Sequence, residues 1–289
     1  MGRTTVFLEE RWIGSSGGRR ALVARLLALF MLVAASSAVS VSAVGQTRES
    51  AVDIDTRPGV TLRFLLLAPR EPVGSVILLA GGHGILDIAR DGSLGWGKGN
   101  FLVRMRARFA EAGFVTAVPD TASDRKPPAS LTDYRYSQAQ AEDLAALVHH
   151  LRRIKGPVWL IGTSRGTISA ANAAARADAE GADGLVLTST MAAAIDAKQP
   201  SLEENVDLAR IRVPTLIVQH ASDACRYTRA RDVPALVKRL KGAAKVEVLT
   251  FEGGRSDGDA CEAYAYHGFA GIENDVVDAI TAWLKANAP

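Results

Sequence analysis

The chain has 289 residues, 48% hydrophobic and 22% charged, with a formal net charge of +3. Residues 1–43 hold five arginines and two glutamates, so residues 44–289 carry 29 basic and 29 acidic side chains and are neutral overall. That balance argues against nucleic-acid binding, which needs a basic patch on the folded domain, and the remaining 246 residues suit one large α/β domain.

In chain order, Arg19 and Arg20 precede an apolar run from Ala21 to Ala35, and small residues follow, ending in Val41-Ser42-Ala43. Charge, apolar stretch and small-residue site in that order predict a secretory signal peptide over 1–43. The protein is then exported, to the periplasm or outside the cell. The apolar run is short and contains Arg25, which disfavours a membrane span. The alternative is an uncleaved N-terminal anchor. After signal cleavage no stable membrane span is expected.

The rest of the chain alternates short apolar runs with longer amphipathic ones, the pattern of βαβ units around a mostly parallel sheet. Thr61–Ala68 reads as an early strand, paired with Ala51–Asp55. Ser75–Ala80 is a buried strand ending in Gly81-Gly82. Asn100–Ala112 reads as a helix stopped by Gly113. Phe114–Val118 is a strand ended by Pro119. Ser137–Lys155 is a long helix stopped by Gly156-Pro157, and Val158–Ile161 is the next strand. An Ala-rich helix, Thr167–Ala179, follows. Gly184–Leu187, Thr215–Gln219 and Lys245–Thr250 are the later strands, and Asn274–Ala286 is a closing amphipathic helix. The expectation is about eight strands. The stretch Thr188–Val213 is too short for a large lid domain.

Gly162-Thr163-Ser164-Arg165-Gly166 fits G-x-S-x-G. An apolar strand runs into it and a helix leaves it. A sharp strand-to-helix turn holds its central residue in a strained conformation, and flanking glycines let the two backbones approach closely. The serine oxygen is then presented at the carboxyl edge of the sheet, above a helix N-terminus. The competing reading is a turn whose serine merely caps the helix. A hydroxyl nucleophile needs a base, and the base needs an orienting acid.

Ser164 is followed by Asp223, in Pro214-Thr-Leu-Ile-Val-Gln-His-Ala-Ser-Asp223, and by His267, in Tyr266-His267-Gly268-Phe269. On these motifs the chain resembles the α/β-hydrolase superfamily along nearly its whole length after the leader. The family's order is nucleophile, acid, histidine. The resemblance implies an eight-stranded, mostly parallel sheet flanked by helices over 44–289, with Ser164 as nucleophile, Asp223 as acid and His267 as base. The family's acid loop often reads H-G-x-x-D, and here His220 stands at the glycine. Asp196 is the rival acid, placed well beyond the preceding strand. His149 and His150 fall near the end of an Arg-rich helix and read as surface residues. His220 precedes the acid and could line the site.

The loop Ala80-Gly81-Gly82-His83-Gly84 resembles the family's H-G-G-x-G type, with Ala80 at the usual histidine. The resemblance implies an oxyanion hole built from the amides of Arg165 and Gly82, with His83 the second choice for the latter. The loop lacks the spacing of a phosphate or dinucleotide motif. Cys225 and Cys261 lie near Asp223 and His267. If the family's loops converge, a Cys225–Cys261 disulfide joins the acid loop to the base loop; the alternative is two thiols. No H-E-x-x-H or C-x-x-C spacing occurs, so neither metal nor cofactor is expected. The function implied is hydrolysis of a carboxylic ester in a small acyl substrate. A peptidase, amidase or lactonase with the same triad is the near alternative. A non-catalytic binding protein on the same fold is the distant one.

Overall fold

The computed structural model describes residues 48–125, 131–177, 181–192 and 201–289. The expected signal peptide and the rival acid Asp196 lie outside them. Among the described residues eight strands form one sheet in the order β1-β2-β4-β3-β5-β6-β7-β8. They are β1 Glu49–Arg57, β2 Val60–Leu67, β3 Gly74–Leu79, β4 Phe114–Ala122, β5 Val158–Thr163, β6 Gly184–Thr188, β7 Thr215–His220 and β8 Val246–Phe251. β1 and β2 pair antiparallel, as do β2 and β4, and every later pairing is parallel.

The central strands β3, β5, β6 and β7 are buried at every residue. Parallel strands covered on both faces require such apolar runs, and the sequences GSVILL, VWLIGT and GLVLT supply them. Alternate residues serve opposite layers. Leu160 joins the core beneath helices Gln138–Ile154 and Gly166–Arg176, with Leu144, Leu147 and Ile168. Trp159 and Ile161 join the other layer, with Phe101, Phe109, Val276 and Ile280.

Two local expectations change. The helix expected over Asn100–Ala112 is two helices, Phe101–Arg104 and Arg106–Glu111, broken at Met105 with φ −93° and ψ 3°. The break lets Phe101–Val103 and then Phe109 and Ala110 all reach the core. β4 also continues through Pro119 to Ala122. Pro119 is tolerated because β3 pairs with β4 only as far as Ala117, and β2 carries a register shift opposite the proline. Two short helices are not marked by the sequence pattern, Leu202–Asn205 and Val233–Arg239, the latter with a proline in its first turn.

The chain steps from β3 outward to β4 and then returns to place β5 on the other side of β3. At such a reversal the loops leaving adjacent strands diverge, opening a crevice at their carboxyl ends. The loops involved are Ala80–Gly84 after β3 and the turn at Ser164 after β5.

Candidate active site

β5 ends at Thr163 and the next helix starts at Gly166, which leaves two residues for the turn. Ser164 therefore takes the left-handed conformation, φ 52°. For a residue with a Cβ this costs roughly 1–2 kcal/mol. A Cβ on Gly162 would stand 2.5 Å from the Gly166 carbonyl oxygen, and one on Gly166 would stand 2.1 Å from Leu79 O. Both glycines are thus fixed by backbone contact. The turn is held by Ser164 N–H donating to Thr188 O at 3.0 Å and by Thr167 Oγ1 donating to Ser164 O at 2.6 Å. The helix has no side-chain cap, so the capping reading of Ser164 does not describe this turn. Ser164 is half-buried and borders an open cleft of about 300 Å³.

Asp223 sits in the turn after β7, its side chain enclosed. Its Oδ1 accepts from Cys225 N–H at 2.9 Å. Its Oδ2 accepts from Thr228 Oγ1 at 2.9 Å and Gln219 Nε2 at 3.3 Å, and pairs with His267 Nδ1 at 3.1 Å. The departure at the glycine position is explained by the His220 ring. Its Nδ1 accepts from Ser222 N–H at 3.0 Å, and Nε2 donates to Gly253 O at 2.9 Å. The ring closes the turn itself and stacks on Tyr266, centroids 4.5 Å apart. It does not line the cleft.

His267 lies in a single turn, Tyr266–Gly268, beyond β8. Ser189 Oγ donates to His267 O at 2.7 Å, and Arg104 Nη2 donates to Gly268 O at 2.7 Å. A Cβ on Gly268 would fall 1.9 Å from Ala263 O, so a glycine must follow the histidine. His267 borders the same cleft as Ser164. The Thr228 hydroxyl, already donating to Asp223, presents its oxygen 3.0 Å from His267 Nδ1. Both neighbours of Nδ1 are acceptors, which fixes the neutral ring's proton there and leaves the Nε2 lone pair free.

The Ala80–Gly84 loop passes tightly beside the serine, since a Cβ on Gly81 would be 2.9 Å from Ser164 Cβ. Gly82, φ 59°, borders the cleft. Beneath the loop lies Arg135, 2% exposed. Burial, reinforced by the charge of Arg165, pushes its pKa down to about 9. His83 is held below its ordinary value by burial and then by the charges of Arg135 and Arg165. The Sγ atoms of Cys225 and Cys261 are 2.10 Å apart, at disulfide distance, and Cys261 borders the cleft.

Ser164, Asp223, His267, Gly82 and both cysteines thus converge on one end of the sheet. His149 and His150 lie on helix Gln138–Ile154, and His150 packs its ring edge-on to Phe64. Thr228, Gln219, Ser189 and Arg135 were not legible as site residues, because no motif marks them. Among the described residues no group of three or more His, Cys, Asp or Glu could hold a metal ion, and no helix is long and apolar enough to cross a membrane.

No protein-family model matches the chain, and a search of curated proteins finds no match. Solved structures do resemble it. A dienelactone hydrolase from Anabaena variabilis is 14% identical, with a TM-score of 0.57 over 84% of this chain and 100% of its own. An esterase from Pyrococcus furiosus is 13% identical, with a TM-score of 0.59 over 84% of this chain and 92% of its own. An acylaminoacyl peptidase from Pyrococcus horikoshii is 9% identical, with a TM-score of 0.56 over 84% of this chain but only 42% of its own. With this strand order and these neighbours, the chain has the α/β-hydrolase fold.

Proposed function

We propose that the protein is a serine hydrolase that cleaves a carboxylic ester through an acyl-enzyme. The observation that carries the reading is His267, held through Nδ1 by Asp223, on the cleft that also exposes the left-handed Ser164. Ser164 Oγ attacks the ester carbonyl carbon and His267 Nε2 takes its proton. Asp223 and Thr228 keep the ring in the required tautomer and stabilise the imidazolium. The amides of Gly82 and Arg165 receive the developing oxyanion, and the positive end of helix Gly166–Arg176 adds to their field. Collapse expels the alcohol, which takes the proton from His267. A water deprotonated by His267 then attacks the acyl-enzyme, releases the acid and returns the proton to Ser164.

The cysteine pair supports the reading of 1–43 as a leader, because disulfides persist in oxidising compartments. Sequencing the mature N-terminus after expression with its leader tests export and cleavage together. The catalytic test is labelling by a fluorophosphonate probe of wild type beside Ser164→Ala. Labelling of wild type alone supports the reading. Silence from both removes the activated serine and favours a binding protein, whereas equal labelling moves the nucleophile elsewhere. A panel of p-nitrophenyl esters beside aminoacyl amides and lactones then separates esterase from the alternatives.

A further inference from the structure

Arg135 carries a charge into the protein interior, and no carboxylate among the described residues pairs with it. Its hydrogen bonds all go to neutral oxygens. Nη2 donates to Ala80 O at 3.1 Å, Gly82 O at 3.3 Å and Gly81 O at 3.5 Å, and Nη1 donates to Ser169 Oγ at 3.0 Å. Nε has no partner. Burying a charge without an ion pair is costly, and an apolar side chain of similar volume would fill the space without that penalty. The guanidinium's role must therefore lie in what its bonds organise.

Those bonds fall on three consecutive peptide units of one loop. In a planar trans peptide the carbonyl and the next residue's N–H point in opposite directions. Drawing the Gly81 carbonyl toward Arg135 turns the Gly82 N–H to the opposite face of the loop, and Gly82 borders the cleft. The bonds to Ala80 O and Gly82 O do the same for the N–H groups of Gly81 and His83. A positive charge on the carbonyl side also polarises each peptide and strengthens its N–H as a donor. The fourth bond, to Ser169, reaches the helix whose N-cap residue is Arg165. One guanidinium thus ties the loop bearing one proposed donor to the helix bearing the other. Gly84 completes the fit, since a Cβ there would stand 2.3 Å from Arg135 Nη2. A lysine ammonium lacks the planar fork that reaches both elements.

We infer that Arg135 is the positioning residue of the oxyanion site, aiming the Gly82 amide and fixing its distance from the Arg165 amide. The inference rests on the proposed serine-hydrolase reading. It is tested with Arg135→Lys, Arg135→Met and Ser169→Ala in the full chain. The readouts are kcat and KM on p-nitrophenyl acetate, the Ki of trifluoroacetophenone, and Tm. In the ketone adduct Ser164 Oγ bonds to the carbonyl carbon, its proton moves to His267 and the carbonyl oxygen becomes the oxyanion. Both Arg135 variants should lose about 100-fold in kcat, the scale of removing one oxyanion donor. The ketone's Ki should rise by a similar factor while KM moves little. Ser169→Ala, which removes one hydrogen bond, should shift kcat and Ki together by about 5-fold, and it carries the test if the arginine variants do not fold. Variants that lower Tm but keep wild-type kcat and Ki overturn the inference. Wild type that fails to label with a fluorophosphonate overturns the underlying reading instead, so the two failures are distinguishable.

Discussion

The hydroxyl of Thr228 donates to Asp223 Oδ2 at 2.9 Å, and its oxygen stands 3.0 Å from His267 Nδ1. It is fully buried, and a second neighbour, Gln219, ties its carbonyl back to β7 at 2.9 Å. The proposed acid and base are therefore joined both directly and through one further side chain, that of Thr228. A hydrogen bond to a charged partner contributes about 1.5–3 kcal/mol. Thr228→Val keeps the shape and removes the hydroxyl, so kcat on a p-nitrophenyl ester should fall about 10-fold or more. Thr228→Ser should restore most of it. Equal kcat in Thr228→Val and wild type would show that the hydroxyl only fills space.

The reach of the sequence differs between this cluster and the elbow. Ser164 is legible because a two-residue strand-to-helix turn demands glycines at 162 and 166, and close backbone contact writes that demand into the chain. His267 is legible from its place beyond the last strand, and a glycine required at 268 follows it. Thr228 and Arg135 carry no such mark. Each acts through contacts distant in sequence, Arg135 across 55 positions to Ala80 and Thr228 across 39 to His267. An isolated threonine or arginine looks the same on a surface or in a core. Pro119 misled for a related reason, because whether a proline ends a strand depends on what its neighbours bond to.

The Cys225–Cys261 link spans 36 positions and joins the loop of Asp223 to the segment leading to His267. Closing a loop of that length constrains the unfolded chain by about 4 kcal/mol in the chain-entropy account. For a domain of this size that corresponds to roughly 10 °C in Tm. Cys261→Ser should lower Tm by about that much and reduce kcat more than it raises KM. Dithiothreitol should lower wild-type Tm and leave the variant unmoved. Identical Tm with and without reductant in wild type would remove the crosslink from the account of stability.

Two exposed aromatic rings border the cleft, Trp96 at 37% and Tyr264 at 49%. Each is seated over a glycine. A Cβ on Gly82 would be 2.5 Å from the Trp96 ring, and one on Gly99 would be 3.2 Å from the Tyr264 ring. His83 packs on Trp96 with centroids 3.8 Å apart, and the Arg104 guanidinium lies 5.1 Å from the Tyr264 centroid. Rings fixed in this way lose little entropy on binding a flat apolar group. Aromatic pairs contribute about 0.5–1.5 kcal/mol beyond buried area. Trp96→Ala and Tyr264→Ala should each raise KM for an aryl-acyl ester about 2- to 10-fold more than for the acetyl ester, with kcat retained. Equal effects on both esters would remove ring stacking from substrate choice.

A buried polar cluster away from the cleft makes stability depend on alkaline pH. Tyr134 donates to Asp143, and Arg57 Nη2 donates to the Tyr134 oxygen at 2.7 Å. Arg57 Nε and Thr56 Oγ1 also bond Asp143 Oδ1, at 2.8 and 2.6 Å. The cluster ties the end of β1 to helix Gln138–Ile154. Burial, followed by the hydrogen bond to Asp143 and that carboxylate's charge, raises the Tyr134 pKa above its ordinary 10.0, against the pull of Arg57. Above about pH 10 the unfolded chain gives up this proton while the folded chain keeps it, so the folded state binds more protons and stability falls as pH rises. The contribution is whole below pH 10 and is lost through the alkaline range. Tyr134→Phe should cost about 1–2 kcal/mol at neutral pH, because it leaves Asp143 and Arg57 one partner short. Its Tm should also fall less steeply than that of wild type between about pH 10 and 11.5. Ultraviolet titration of phenolate in the folded protein should show fewer than the chain's five tyrosines ionising in that interval, with Tyr134 among those held back. Parallel Tm profiles for Tyr134→Phe and wild type would place the alkaline loss on other groups.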